Sequence, residues 1–320
     1  MNFNTKVDIA QSISKIDYHS SLMSFGSCFS ENIGKMLENL YFNIDVNPFG
    51  TLYNPISIAH SIERLVSGRK FSEKDLFEHK SLYNSFLHDS SFSSDTAEKT
   101  LENINLRFEA AAKNLKNIDF LLITFGTAWY FTEKQSGNVV SNCHKLPSEN
   151  FIRKRLSIDE IVARYNDLIF TLLQINRNIK IIFTVSPIRH WKDGAHGNTL
   201  SKSVLLLAID ELQQKFANIL YFPAYEIVMD ELRDYRFYAP DMLHLTDTAT
   251  EYIFKRFTET FFDAKTREFL KKAEQLNADN QHIPINKQSF EYQIFIQQKE
   301  KRKNNFIADF PFLANKLHGS

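Results

Sequence analysis

Short, almost wholly apolar runs alternate along this chain with longer stretches whose apolar positions recur at helical spacing. Leu22-Met23-Ser24-Phe25 reads as a brief buried strand. Glu31 to Tyr41 reads as a helix, with Ile33, Leu37, Leu40 and Tyr41 on one side. Ile44-Asp45-Val46 predicts a second strand, leaving through the turn Asn47-Pro48-Phe49-Gly50. Ile56 to Val66 and Ala97 to Asn114 predict helices, whereas residues from about 67 to 95 mix Ser, His and Phe with no clear period. Ile118 to Phe125 is the strongest strand: it is nearly all apolar, as a central parallel strand covered on both faces must be.

The second half repeats the theme. Ser157 to Ile175 predicts an amphipathic helix, opened by Ser157 with Asp159 and Glu160 in its first turn. Lys180 to Val185 predicts a buried strand closed by Ser186-Pro187, then Leu200 to Phe216 a helix. Asn218 to Phe222 is a short strand stopped by Pro223; Ala224 to Leu232 and Asp247 to Phe262 are helical in pattern. Such alternation predicts a doubly wound α/β sheet, with the ligand crevice at the carboxyl ends of its strands. The turns after Phe25, Val46, Phe125 and Val185 all fall there. From about Ala264 the text becomes charged and helical, over Lys265 to Leu276 and Phe290 to Lys303. The expected division is an α/β domain over residues 1–263 and a C-terminal helical extension over 264–320. The extension packs on the domain or pairs subunits into a homo-oligomer.

Composition narrows the function classes. With 320 residues and 43% hydrophobic content, the chain has ample material for a core, rich in its 29 Phe. Its 38 basic and 38 acidic side chains balance, so charge gives no case for nucleic acid. Met1 to Ile16 has no apolar stretch suited to a signal peptide, and no run suits a membrane span. The only cysteines, Cys28 and Cys143, read as reduced thiols of a cytoplasmic protein; parity alone supports a disulfide between them. Gly26, Gly50 and Gly126 are solitary, so there is no phosphate-cradling loop, and no ligand pair has zinc-finger spacing. The expectation is no metal and no cofactor.

Chemistry concentrates in two places. Gly26-Ser27-Cys28-Phe29-Ser30 sets a hydroxyl and a thiol at a strand-to-helix turn. Unpaired amides at a helix start favour an anion, so a nucleophile there ionises more easily and the oxyanion it creates meets donors. Asp241-Met242-Leu243-His244 follows the last predicted strand. An Asp three residues before a His can hold one ring nitrogen and leave the other free as a base. Asn142, His144, Arg189 and His190 sit on turns near strand exits, where they can line a pocket for an acidic or sugar-like substrate.

Several blocks together resemble the GSCFA family, a group within the SGNH (GDSL-like) hydrolase superfamily. They are Gly26-Ser27-Cys28-Phe29, residues 47–55 (Asn-Pro-Phe-Gly-Thr-Leu-Tyr-Asn-Pro), Thr124 to Trp129, Asn142 to Lys145, Thr184 to His190, and Asp241 to His244. The resemblance spans roughly residues 20 to 260 and implies a flavodoxin-like three-layer α/β/α sandwich of esterase ancestry. In GDSL-type enzymes the first block is Gly-Asp-Ser with an attacking serine. Laid on this chain, that position falls on Cys28, and a slipped register makes Ser27 the nucleophile instead. The resemblance makes His244 the general base and Asp241 its orienter. Its oxyanion hole draws on the amides of Cys28 and Gly50 and on Gly126 and Thr127. The superfamily's third block is Gly-x-Asn-Asp; here Ala128 stands in the Asn position and offers no side-chain donor, a role open to Thr127 or Asn54. The implied activity is hydrolysis or transfer of a small-molecule or carbohydrate acyl ester. The alternative is a catalytically degenerate fold that binds a ligand or partner.

Overall fold

In the computed structural model, which describes residues 5–281, 286–314 and 317, five short strands form one parallel sheet. They are β1 (Ser21–Gly26), β2 (Asn43–Val46), β3 (Phe120–Phe125), β4 (Lys180–Val185) and β5 (Ile219–Tyr221), in spatial order β2-β1-β3-β4-β5. This is the doubly wound, flavodoxin-like order, and its direction reverses between β1 and β3. Register follows the side-chain period of two: Met23, Phe25, Leu121, Ile123 and Phe183 face one core, Leu22, Phe120, Leu122 and Ile182 the other. Helices α2 (Pro55–Ser67), α3 (Ala97–Leu115), α4 (Ile158–Ile175) and α5 (Gly194–Lys215) cover the first face. On the second lie α1 (Cys28–Asn39) and α6 (Asp247–Phe261). The protein is therefore a three-layer α/β/α sandwich.

Local chemistry places most boundaries where the sequence reading puts them. Ser157 and Glu160 form a reciprocal capping box at the start of α4. Asn54 caps α2, whose first residue is Pro55 and whose stop is Gly68 at φ 64°. Ala224–Glu226 starts helical but continues as a wide π-type turn over Ile227–Glu231.

Between β3 and α4 the chain builds a small antiparallel sheet that the periodicity did not foretell: Trp129–Glu133 pairs with Val139–Val140 and Phe151–Arg155. The unplaced region near residue 80 is a short hairpin, Phe77–His79 with Leu82–Asn84. The expected extension comprises α7 (Ala264–Gln281) and α8 (Phe290–Asp309). Its Phe269, Leu276, Phe306 and Phe310 enter the second core, with Phe269 stacked 4.5 Å from Tyr18.

The sheet's outer strand β2 is only four residues long. Its inward Asp45 is bonded by Arg107 and, at 2.9 Å, by Asn114 Nδ2. Among the described residues no helix is long and apolar enough to cross a membrane.

Candidate active site

The exits of β1 and β3 lie side by side at the reversal point of the sheet, because Gly26 is in register with Thr124. That register demands glycine. A Cβ on Gly26 would stand 2.7 Å from the Thr124 Cβ and 2.8 Å from its carbonyl oxygen. The Gly26 amide donates to Asn47 Oδ1 at 3.0 Å, tying the β1 exit to the β2 exit. Ser27 then caps α1 in extended conformation, and Cys28 is the first helical residue.

The two candidate nucleophiles sit in different surroundings. Ser27 Oγ is buried and has no hydrogen-bond partner among the described residues. Cys28 is half-buried and its thiol is free. Burial pushes the Cys28 thiol pKa up; hydrogen bonds from the Phe29 and Cys28 amides pull against that. Unaided, the group rests as a thiol.

Beside these exits, backbone carbonyls and one buried lysine form a bonded network. The Gly126 and Thr127 amides both donate to the Tyr53 carbonyl, at 2.8 and 2.9 Å. The Gly126 carbonyl in turn accepts from Lys202 Nζ at 2.7 Å, and the Ser186 carbonyl from the same nitrogen at 2.6 Å. Lys202 is fully buried, and burial, helped by the Arg189 charge, pushes its pKa down to about 7. One side chain thus ties the exits of β3 and β4 together. Ser201 beside it accepts from the Ala128 amide at 2.8 Å and meets Thr127 Oγ1 at 3.1 Å. Ala128 itself has no exposed surface.

His190 packs against this network. Its Nε2 lies 3.3 Å from where a Cβ on Gly126 would stand, and its ring meets Tyr53 edge-on at 5.9 Å. Its amide donates to Asn198 Oδ1 at 3.0 Å. Burial, with Lys202 next, pushes the His190 pKa down to about 4, so the ring is neutral at pH 7. His244 is near enough to contribute to that shift.

Asp241 and His244 lie on the loop between Tyr238 and Leu245, and both are exposed. Asp241 Oδ2 meets His244 Nδ1 at 2.5 Å, while Oδ1 accepts the Leu243 and His244 amides at 3.0 and 2.9 Å. The bond to His244, then those two amides, pulls the Asp241 pKa down to about 2. Among the described residues His244 Nε2 has no hydrogen-bond partner, and none joins His244 to Cys28. Next to the pair opens a cavity of about 620 Å³, walled by Arg189, Trp191, Met229, Tyr235, Tyr238 and Asp241. A groove of about 710 Å³ along the β2 edge holds Gly50 but none of the other candidates.

Several expected contributors are engaged elsewhere. The Gly50 amide, at φ 79°, donates to the Asn47 carbonyl at 2.8 Å. Asn54 Oδ1 accepts the Ser57 amide at 2.9 Å as a helix cap. Asn142 Oδ1 accepts the His144 amide, and His144 Nε2 bonds the Ser85 carbonyl at 2.8 Å, so both serve a loop next to the hairpin. Sequence reading missed Asn198, Ser201 and Lys202. The available signal was polar residues at positions i, i+3 and i+4 on the face of α5 that must be buried.

Residues 21–257 match the model of the GSCFA family. No curated protein matches the chain. Solved structures similar to it include a family 3 carbohydrate esterase from Clostridium thermocellum, 8% identical over 79% of this chain and 97% of that one, with TM-score 0.37. Another is the acetyl xylan esterase Est2A from Butyrivibrio proteoclasticus, 11% identical over 76% of this chain and 63% of that one, TM-score 0.40. A carbohydrate esterase family 3 protein from Talaromyces cellulolyticus is 8% identical over 79% of this chain and 98% of that one, TM-score 0.37.

Proposed function

This chain belongs to the GSCFA family, and on that premise we propose that it hydrolyses or transfers acyl esters through Cys28, His244 and Asp241. One observation carries the reading. Asp241 spends one oxygen on the ring Nδ1 and the other on two amides, which fixes the imidazole and leaves Nε2 as an exposed, unbonded base. Such a pair, beside a cavity of about 620 Å³, supplies the oriented base that acyl transfer needs.

The chemistry follows from the resting states. The Cys28 thiol, its pKa raised by burial, needs a base, and His244 Nε2 accepts its proton. The sulfur adds to the ester carbonyl, and the oxyanion is held by the Cys28 and Phe29 amides at the start of α1. Collapse breaks the C–O bond, and the departing alcohol takes the proton back from His244. Water then gives its proton to His244 and attacks the thioester; the acid leaves and the thiol re-forms. A sugar hydroxyl in place of that water makes the same site an acyltransferase. Cys28 is preferred over Ser27 because the serine hydroxyl is buried.

A non-catalytic reading has one observation behind it: the Gly50, Gly126 and Thr127 amides are already bonded inside the protein, leaving few donors for an oxyanion. The two separate on p-nitrophenyl acetate turnover and covalent thiol labelling in wild type, Cys28→Ala, Ser27→Ala and His244→Ala. The enzyme reading expects turnover and Cys28 labelling that both need His244. Turnover independent of both residues, or no turnover, leaves the binding role. An adduct on Ser27 transfers the attack to the hydroxyl. Acyl esters of sugars are the substrate class to assay first.

A further inference from the structure

Arg189 stands out among the charged groups around the cavity. The other arginine in its wall, Arg233, is paired with Asp230 at 2.6 Å. Asp241 is committed to His244, and Asp234 caps a turn and lies 3.8 Å from Arg236. Arg189 has no carboxylate within ion-pair distance among the described residues; its recorded contact is with the Met229 sulfur at 3.7 Å, a weak acceptor. A half-buried guanidinium with no counter-charge is a costly thing to leave in a fold unless a ligand supplies the anion. Its field is felt nearby: it depresses the pKa of Lys202 and opposes the burial-driven rise of Tyr238.

The rest of the cavity defines the ligand's body. Trp191 and Tyr235 are 55% and 76% exposed, far more than aromatic rings with a purely internal role, and the half-buried Tyr238 and Met229 line the cavity with them. About 620 Å³ is within the range of small-molecule sites. Aromatic faces with one fork-shaped cation suit a flat-sided polar ring that carries a carboxylate.

We propose that this cavity is a binding subsite for a carboxylate-bearing sugar, with the carboxylate on the Arg189 guanidinium and the ring against Trp191, Tyr235 and Tyr238. The inference rests on the acyl-ester reading for its place in catalysis: the sugar is the part of the ester that lies next to His244. Its binding requires no turnover.

The test is calorimetric titration with D-galacturonate, D-galactose and acetate against wild type, Arg189→Gln, Arg189→Lys and His244→Ala. Wild type is expected to bind galacturonate at least tenfold more tightly than galactose or acetate. Arg189→Gln should lose that preference, Arg189→Lys should recover part of it, and His244→Ala should keep it. Added NaCl should weaken galacturonate and leave galactose unchanged, a readout that holds even if an Arg189 variant does not fold. Equal binding of the two sugars, no binding of galacturonate, or a preference that survives Arg189→Gln overturns the proposal. If the preference is present and p-nitrophenyl acetate is not turned over, the catalytic reading falls and the subsite stands.

Discussion

The strand exits and the loop that carries Asp241 and His244 are held in unlike ways. At the strand exits a set of backbone groups is bonded within the protein: Gly26 to Asn47, Gly126 and Thr127 to Tyr53, and two carbonyls to Lys202. On their loop Asp241 and His244 are held chiefly by contacts within that loop and stand in water. The first side is a preset scaffold whose geometry is fixed by folding. The second is an exposed imidazole, the base of the proposed reaction, whose orientation depends on one carboxylate. Damage to the scaffold should appear as lost stability, and damage to the loop as lost activity at unchanged stability.

The largest effect that tests this division is His244→Ala. Ester turnover should fall roughly 100- to 10,000-fold, the usual loss on removing a general base. The melting temperature should stay at the wild-type value; a variant that melts early would mean that the loop also supports the fold.

Lys202→Met attacks the other side. It strands the Gly126 and Ser186 carbonyls in a buried place and should cost about 3 kcal/mol in urea unfolding. Gly26→Ala comes next, at about 2 kcal/mol, because the β1–β3 register leaves no room for a methyl group. Loss of turnover without loss of stability in either variant would erase the distinction.

The smallest effect is a dependence on pH. Burial pushes His88 down to about 3, and His190 and His60 down to about 4. Unfolded, each takes a proton near pH 6.5, so between 6.5 and 4 the unfolded chain binds protons that the native one refuses. Stability should therefore fall on acidification through that window, by up to about 1.4 kcal/mol per pH unit for His88. His88→Phe, which keeps the stack on Phe49, should flatten the slope in thermal melts taken from pH 7 to 4. Asp241 acts in the same direction over a lower window: its depressed pKa means its contribution is present above about pH 3.8 and is lost only as pH falls toward 2. The exposed pair should outlast the buried histidines in acid.

What the sequence revealed follows the same split. Strands β1, β3 and β4 were legible because a strand buried on both faces must be apolar throughout, and the Asp241–His244 pair because its partners are three residues apart. The small sheet over 129–155 was not, since its strands are half-buried, carry Arg and Lys, and pair over distances that local periodicity does not register. Helix α5 begins at Gly194 rather than Leu200 because Gly194-Ala195-His196-Gly197-Asn198 lacks an apolar period. Lys202 was missed because the carbonyls it serves lie 76 and 16 positions away along the chain. The polar groups that shape the scaffold are thus the least visible, since their partners are distant in sequence.

The brevity of β2 also matters for how the molecule keeps company with its copies. A sheet's outermost strand offers unpaired backbone groups to any passing chain, and a long flat one invites stacking into aggregates. Here that strand is four residues long and carries Asp45, whose charge is fastened by Arg107 and Asn114. An incoming strand would find little ladder to extend, and one whose inward charge is tied to the covering helix, so the protein should resist polymerising through this border even when crowded.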